Sequence, residues 1–167
     1  MMNETYVEWL VDRKMTGKGK ALRAGCIVLI VLAVLLYLMT ASAIALFLIV
    51  IFGIATWFAF RYTKVEYEYS YVDREISVDR IANKTSRKRV AVYDLGKAEI
   101  IAPEKSVHLD GFRHRQYKKV DYTSNSGQPE HPIFIMYYNT GVQVYLELND
   151  EFANALYRAA PNKVFLD

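Results

Sequence analysis

The chain has 167 residues, of which 53% are hydrophobic and 23% charged. Its net charge of +3 is too small to predict nucleic acid as a partner. Because Cys26 is the one cysteine, an internal disulfide is excluded, and a reducing compartment fits the sequence. Aromatic residues make up 14% of the chain, which argues against disorder.

The first large feature is an apolar block, residues 24–60, that contains no Asp, Glu, Lys, Arg or His. One helix through this block would be about 55 Å long, whereas the apolar layer of a bilayer is about 30 Å thick. The block therefore predicts a transmembrane helical hairpin with two spans, 24–39 and 43–60, joined by a turn at residues 40–42. A single tilted span is the alternative.

Lysine and arginine flank the apolar block on both sides. Positive residues collect on the cytoplasmic side of membranes, so both flanks are expected there, which requires an even number of spans. The sequence thus predicts a multi-pass protein of the cytoplasmic membrane whose soluble domain faces the cytoplasm. The residues predicted at the membrane interface are Trp9, Lys18, Lys20, Arg23, Trp57 and Arg61.

Residues 1–23 are predicted to form a juxtamembrane amphipathic arm. Tyr6, Trp9 and Leu10 recur at the spacing of one helix face, which predicts a short helix on the inner leaflet. Packing of this helix against the soluble domain is the alternative. We interpret residues 16–20, Thr-Gly-Lys-Gly-Lys, as a flexible basic linker whose lysines meet anionic lipid.

Residues 62–167 change to a period of two, which is typical of strands with one buried face. A hairpin turn is predicted at residues 139–141. The final helix is expected to bury Phe152, Leu156, Ala159 and Ala160. The pattern predicts seven strands in a meander and then this helix, at 65–71, 75–81, 87–95, 97–102, 116–123, 133–138, 142–148 and 151–160.

This order of elements resembles the pleckstrin-homology-like superfold of bacterial membrane proteins. The resemblance implies an α+β fold, in which a transmembrane hairpin precedes a bent β-barrel of two sheets closed by a C-terminal helix. The chain also resembles an uncharacterised family of small Gram-positive bacterial membrane proteins, a domain of unknown function, which implies a membrane anchor and a cytoplasmic domain. The segments that carry this second resemblance are 3–11, 66–69 with Asp73 and Glu75, 87–89, 100–103, 109–111 and 160–165.

A basic cluster surrounds the predicted turn between the second and third strands of this domain. In lipid-binding pleckstrin-homology domains, basic residues near the first hairpins hold phosphorylated head groups, so the cluster predicts contact with anionic lipid or an acidic partner. A solvated hairpin tip is the alternative. The candidate contact residues are Arg80, Lys84, Arg87, Lys88 and Arg89.

The sequence has no pattern that predicts catalysis. It has no nucleophile motif, and His108, His114 and His131 lack the spacing of a metal site. We therefore expect a protein that is not an enzyme and has no cofactor or metal. The predicted function is a membrane-anchored binding or scaffolding protein, with membrane lipids and either a protein partner or a second copy as partners. A sensor of anionic lipid head groups is the alternative function.

Overall fold

The computed structural model of the protein describes residues 6–62, 64–138 and 141–167. The N-terminal part of the resemblance, residues 3–5, and most of the turn predicted at 139–141 therefore lie outside the described residues. The helices and strands are, in chain order, β1 (Val7–Arg13), α1 (Gly17–Thr40), α2 (Ala43–Tyr62), β2 (Val65–Val72), β3 (Glu75–Ala82), β4 (Ser86–Asp94), β5 (Ala98–Pro103), α3 (Asp110–Arg113), β6 (Lys118–Asp121), β7 (Ile133–Tyr138), β8 (Val142–Glu147) and α4 (Asp150–Ala159).

Two long apolar helices, α1 and α2, form the hairpin. Both are long and apolar enough to cross a membrane, and each has a mean hydropathy of 2.6. Between them, Ala41 adopts a left-handed backbone with φ of 46°, and its N–H donates to the carbonyl of Tyr37 at 2.8 Å. This residue ends α1, so the prediction of two helices is confirmed and one continuous helix is ruled out.

The first helix begins seven residues earlier than the predicted span, at Gly17 instead of residue 24. The Thr16 hydroxyl caps it by accepting a hydrogen bond from the Gly19 N–H at 3.3 Å. The predicted flexible linker at residues 16–20 is therefore wrong. Lys18 and Lys20 lie instead in the first turn of a helix, which fixes their distance from the apolar block.

The N-terminal arm is a strand, and the predicted amphipathic helix is wrong. β1 pairs antiparallel with β2, with Val7 opposite Tyr71 and Val11 opposite Tyr67. Val7 and Val11 are buried, whereas Tyr6, which the helical pattern placed on the apolar face, is 59% exposed. The arm belongs to the folded domain, as the alternative had proposed, but it belongs there as a strand.

Seven strands follow the hairpin, as predicted, and every strand end lies within two residues of its predicted position. They do not form a meander or a closed barrel. In the described residues the strands make two separate sheets, ordered β1-β2-β3-β4 and β5-β7-β8-β6. β6 returns to pair parallel with β8, with Lys118 opposite Val142. The connection between β5 and β6 therefore has to cross the sheet.

The core lies between the two sheets and is covered by α4. Asn149 caps this helix by accepting a hydrogen bond from the Phe152 N–H at 2.9 Å. Phe152 and Leu156 are fully buried, and the ring of Phe152 lies edge-on to those of Tyr69 and Tyr71. The predicted closing helix is therefore present and buries the predicted large side chains.

Buried tyrosines carry the polar groups of this core. The Tyr69 hydroxyl donates to the carbonyl of Tyr122 at 2.7 Å, and the Tyr93 and Tyr122 hydroxyls lie 3.2 Å apart. Burial raises the pKa of Tyr69 and of Tyr93 above the ordinary value for tyrosine. Each hydroxyl therefore stays protonated and has a hydrogen-bond partner. The neutral, hydrogen-bonded form is the one that a protein core tolerates.

Candidate functional site

The basic cluster divides between the two faces of the first sheet. Arg87 and Arg89 share one face of the strand, as alternation predicted. A register shift between Val78 and Asp79 makes this the outer face, which points away from α4. Asp79 lies between them on β3, and its two carboxylate oxygens accept from Nε of Arg87 and from Nε of Arg89, each at 3.1 Å. Arg87 also pairs with Glu68. Much of the positive charge of this face is therefore compensated.

In these ion pairs the carboxylate is shielded from water and the guanidinium groups are not. The side chain of Asp79 is only 10% exposed, whereas those of Arg87 and Arg89 are 53% and 61% exposed. If both arginines were removed, the buried carboxylate of Asp79 would have no opposite charge beside it, which would lower the stability of the domain substantially. The two arginines thus have a structural role that the sequence pattern did not indicate.

Arg80 and Lys88 face each other across β3 and β4, on the opposite side of the strands from the arginine pairs. Both residues are exposed. Like charges directly opposite each other destabilise a strand pair, but both side chains reach solvent, which screens their repulsion. Within the described residues, Arg80 and Lys88 form no ion pair, in contrast to Arg87 and Arg89.

The turn between β3 and β4 lies next to the end of the helical hairpin. Asn83 and Lys84 have left-handed backbones with φ of 52° and 58°. The Asn83 N–H donates to the carbonyl of Lys64 at 3.1 Å, just after α2. The exposed Lys84 is thereby held at the edge of the first sheet from which α1 and α2 leave. We call this the hairpin-proximal edge.

Further contacts hold the segment between β1 and α1 against the second sheet and its loop. Arg13 donates to the carbonyl of Asp121 at 2.7 Å and pairs with its carboxylate at 3.2 Å. The backbone N–H of Lys14 donates to the carbonyl of Ser124 at 2.7 Å. The joint between β1 and α1 is therefore fixed to the second sheet and its loop.

Cations and aromatic rings meet where the two helices approach the domain. The guanidinium of Arg23 lies 4.4 Å from the ring centre of Phe60 and donates to the Phe60 carbonyl at 3.0 Å. The guanidinium of Arg61 lies 5.2 Å from the ring centre of Trp57. The five predicted interface residues that belong to the domain-facing end of the hairpin are Lys18, Lys20, Arg23, Trp57 and Arg61.

Trp9 is the one predicted interface residue that lies away from this end, within β1. Its indole N–H donates to the carbonyl of Glu147 at 3.0 Å, and its ring lies edge-on to that of His131 at 4.7 Å. The helix that placed Trp9 on the leaflet does not exist, so its assignment to the membrane interface loses its basis. Trp9 instead joins β1 to the second sheet.

Around Trp9 is a cleft that sequence analysis missed. It lies between β1 and the loop of residues 124–131, has a volume of about 390 Å³, and includes Glu147 in its wall. Trp9, Ser124 and Glu147 are far apart in sequence and form no motif. No local signal in the sequence could have indicated that they meet.

The three histidines lie in different surroundings. His108 stacks on Phe165 with 3.9 Å between ring centres, and His131 contacts Trp9. Within the part of the chain that the structure describes, no group of three or more His, Cys, Asp or Glu could hold a metal ion.

The family comparison covers nearly the whole chain. Residues 3–166 match the model of a family described as Bacterial PH-like domain (DUF6106), a domain of unknown function. The match includes β1 and the helical hairpin, in agreement with a domain whose first strand precedes its helices. No curated protein and no solved structure matches significantly. The chain therefore belongs to this family of bacterial PH-like domains.

Proposed function

We propose that the protein is a non-enzymatic binding or scaffolding module, held by α1 and α2 at the cytoplasmic face of the cell membrane. One observation carries this proposal: the hairpin leaves the domain after β1 and returns at β2, two neighbouring strands of one sheet. Short connections at both helices leave the domain little freedom to turn away. Such a domain presents a constant surface to partners beside the membrane.

The orientation follows from charge. Basic residues precede α1 and follow α2, and Lys/Arg near helix ends favour the cytoplasmic side. Because β1 and β2 are paired, the two outer ends of the hairpin lie together, which supports an even number of crossings. The helix-joining turn at Ala41 is then on the external side.

A second candidate function, contact with anionic lipid head groups, is favoured by the position of the β3–β4 turn. The bond between Asn83 and Lys64 holds Lys84 at the hairpin-proximal edge. Lysines near an anionic leaflet are each worth about 1 kcal/mol of attraction. Lys64 and Lys84 are better candidates for this contact than Arg87 and Arg89, whose charges Asp79 and Glu68 already compensate.

Affinity purification of the tagged full chain from detergent-solubilised membranes tests both candidates. The control is a Phe152→Ala, Leu156→Ala variant, which loses core contacts of the domain but keeps the hairpin. Proteins recovered only with the intact domain would support the binding module, whereas equal recovery with both would contradict it. Enrichment of anionic phospholipid that depends on Lys64 and Lys84 would support the second candidate. Turnover in a broad hydrolase screen would contradict a non-enzymatic role.

A further inference from the structure

The second sheet has a pocket on the face that points away from the core between the sheets. Tyr137 on β7, Gln143 on β8 and Lys119 on β6 lie opposite one another in register, so they form one row across three strands. Tyr117 and Tyr145 add two more aromatic side chains to the wall. The pocket has a volume of about 570 Å³, which is within the range of small-ligand sites.

Gln143 brings an amide with unused hydrogen-bonding capacity into this pocket. The residue is 8% exposed, and its Nε2 donates to the Tyr137 hydroxyl at 3.1 Å. Among the described residues, only the Ser124 hydroxyl is both closed off from water and without a partner. Oε1 of Gln143, which accepts no hydrogen bond from those residues, is therefore open to solvent. Because buried amides ordinarily pair both ends, this free acceptor points to a ligand that can donate a hydrogen bond.

Two tyrosine hydroxyls extend the polar part of the wall. The Tyr137 hydroxyl accepts from Gln143, so its own proton remains available to a ligand. The Tyr145 hydroxyl has no hydrogen-bond partner in the described part of the chain. Burial raises the pKa of Tyr137 and of Tyr145 above the ordinary value for tyrosine, so both remain protonated. Both hydroxyls can therefore donate as well as accept.

The charge around the pocket selects an anion. Arg113, Arg115 and Lys119 line it, whereas Glu104 is the one carboxylate among the described residues of its wall. Lys119 is exposed and forms no ion pair within the described residues. The pocket thus has an excess of positive charge next to the free acceptor of Gln143, and such a wall attracts an oxyanion.

Both arginines remain available to a ligand, although each has an acidic partner. Arg113 pairs with Asp110 at 3.3 Å, and Arg115 pairs with Glu99 at 3.2 Å, but neither acid lines the pocket. The two arginine side chains are 50% and 60% exposed, and ion pairs between exposed side chains are weak. A guanidinium has five N–H donors, so those left unused can bind an oxyanion.

We propose that this pocket binds a hydroxylated organic anion. Its carboxylate or phosphate group contacts the three cations, and its hydroxyl groups bond to Gln143 and Tyr145. The cations disfavour an ammonium as the donor that Gln143 requires, whereas a neutral hydroxyl both donates and accepts. The proposal adds a soluble ligand to the binding module and uses neither of the lysines assigned to lipid contact. Its failure would therefore leave the copurification results unchanged.

Calorimetric titration of the detergent-solubilised full chain tests the proposal. The probes are glucose 6-phosphate and gluconate, each of which joins a polyol to one oxyanion. The controls are sorbitol, which has no charge, and inorganic phosphate and acetate, which have no polyol. Saturation-transfer NMR of the same compounds gives a second readout.

We expect saturable binding of at least one charged polyol, weaker binding of the simple anions and none of sorbitol. Tighter binding of glucose 6-phosphate would identify a phosphate ester as the preferred ligand, and tighter binding of gluconate would identify a carboxylate. Absence of saturable binding by both readouts would overturn the proposal. Equal binding of each charged polyol and its simple anion would overturn it as well, because the hydroxyl contacts would then contribute nothing.

Two neighbouring lysines localise the site. Lys119→Gln should weaken binding about fivefold, because a hydrogen bond to a charged group is lost. Lys118→Gln is the matched control, since it removes the same charge one residue earlier, on the opposite side of β6 and outside the pocket. Its effect should be about twofold or less, because solvent screens the longer-range attraction. Equal affinity of the two folded variants would contradict the assignment.

The amide is tested by Gln143→Glu, whose carboxylate can still bond to the Tyr137 hydroxyl but adds a negative charge to the pocket. It should weaken binding about tenfold or more. If this variant does not fold, Tyr145→Phe decides the case, because it keeps the ring and removes one hydroxyl. Tyr145→Phe should reduce the preference for gluconate over acetate. Unchanged affinity in a folded Gln143→Glu variant, or an unchanged preference in Tyr145→Phe, would contradict binding in this pocket.

Discussion

Arg13, the last residue of β1, lies directly opposite Val65, the first residue of β2, although the entire helical hairpin separates them in the chain. In a soluble sheet a short turn would join two such strands. Here α1 and α2 occupy the place of that turn. The domain is consequently formed from two pieces of the chain, and neither piece contains a complete first sheet.

The first prediction concerns the part of the chain that folds alone. Residues 62–167 lack β1 and expose the hydrogen-bonding edge of β2, so we expect them to aggregate or melt without cooperativity. A chain in which Asn-Gly replaces everything between Lys14 and Lys64 restores the β1–β2 pair and should be soluble. Circular dichroism melting and size-exclusion chromatography measure both. Cooperative melting of 62–167 at the temperature of the Asn-Gly chain would show that β1 is dispensable.

The second prediction concerns topology. Because β1 and β2 pair, reporters fused at the N-terminus and at Asp167 should both read cytoplasmic, and a reporter inserted at Ala41 should read external. Paired alkaline phosphatase and fluorescent-protein fusions measure each position. Opposite readings at the two termini would show that the hairpin does not cross the membrane twice.

The strands after the hairpin were predictable because each alternates clearly and is bounded by turn residues. β1 was mistaken for a helix because its apolar residues satisfy two periods. Tyr6 and Leu10 fit a helical face but are exposed, whereas Val7 and Val11 fit a strand and are buried. The partner that decides between the periods is β2, on the far side of the hairpin, and no local pattern reveals it.

In the candidate site, too, local sequence patterns predicted part of the arrangement, and contacts between residues far apart in sequence determine the rest. Alternation alone placed Arg87 and Arg89 on one face of β4. Their neutralisation depends on Asp79, which joins them only through the register of β3 with β4. The cleft at Trp9 could not be predicted from the sequence, because Trp9 belongs to the first sheet, whereas Ser124 and Glu147 come from a loop and a strand of the second sheet.

The third prediction concerns alkaline pH. The pKa of Tyr69 is raised by burial in the folded state, so above about pH 10 the unfolded chain loses a proton that the folded chain keeps. The stabilisation is therefore complete below about pH 10 and is lost as the pH rises above it. Urea denaturation of the Asn-Gly chain at about pH 8 and about pH 11 measures the decline.

Tyr69→Phe separates this effect from the titration of other groups. The variant should be about 1 kcal/mol less stable at neutral pH, because its hydrogen bond to the Tyr122 carbonyl is lost. Its stability should then fall less between the two pH values. Tyr157→Phe, at a residue that is 42% exposed, should decline like the parent chain. An equal decline in all three would mean that burial of Tyr69 does not govern alkaline stability.

The fourth prediction concerns the closing helix. Phe152 and Leu156 are fully buried in α4, so Phe152→Ala should cost about 3–5 kcal/mol and Leu156→Ala about 2–5 kcal/mol of unfolding free energy. Tyr157→Ala, on the exposed side of the same helix, should change stability by about 0.5 kcal/mol or less. Chemical denaturation of the Asn-Gly chain gives the three values. Similar losses for all three would contradict the burial pattern of α4.

The fifth prediction compares two lysines at the hairpin-proximal edge, Lys64 and Lys84, with the two arginines on the outer face of the first sheet. The full chain is placed in nanodiscs with neutral or anionic lipid, and hydrogen exchange of the β3–β4 turn is measured in each. Anionic lipid should slow exchange in the parent chain, and Lys64→Ser with Lys84→Ser should remove most of that protection, at about 1 kcal/mol per lysine. High salt should have the same effect, because it screens exposed charges.

Arg87→Ser with Arg89→Ser is the matched control for charge number. Since these arginines compensate Asp79, their removal should lower the stability of the domain in both lipids and leave the difference between lipids largely intact. Loss of the lipid difference in the arginine variant, with retention in the lysine variant, would reverse the assignment. The outer face of the first sheet would then be the surface that meets the membrane, and the hairpin-proximal edge would be an ordinary solvated turn.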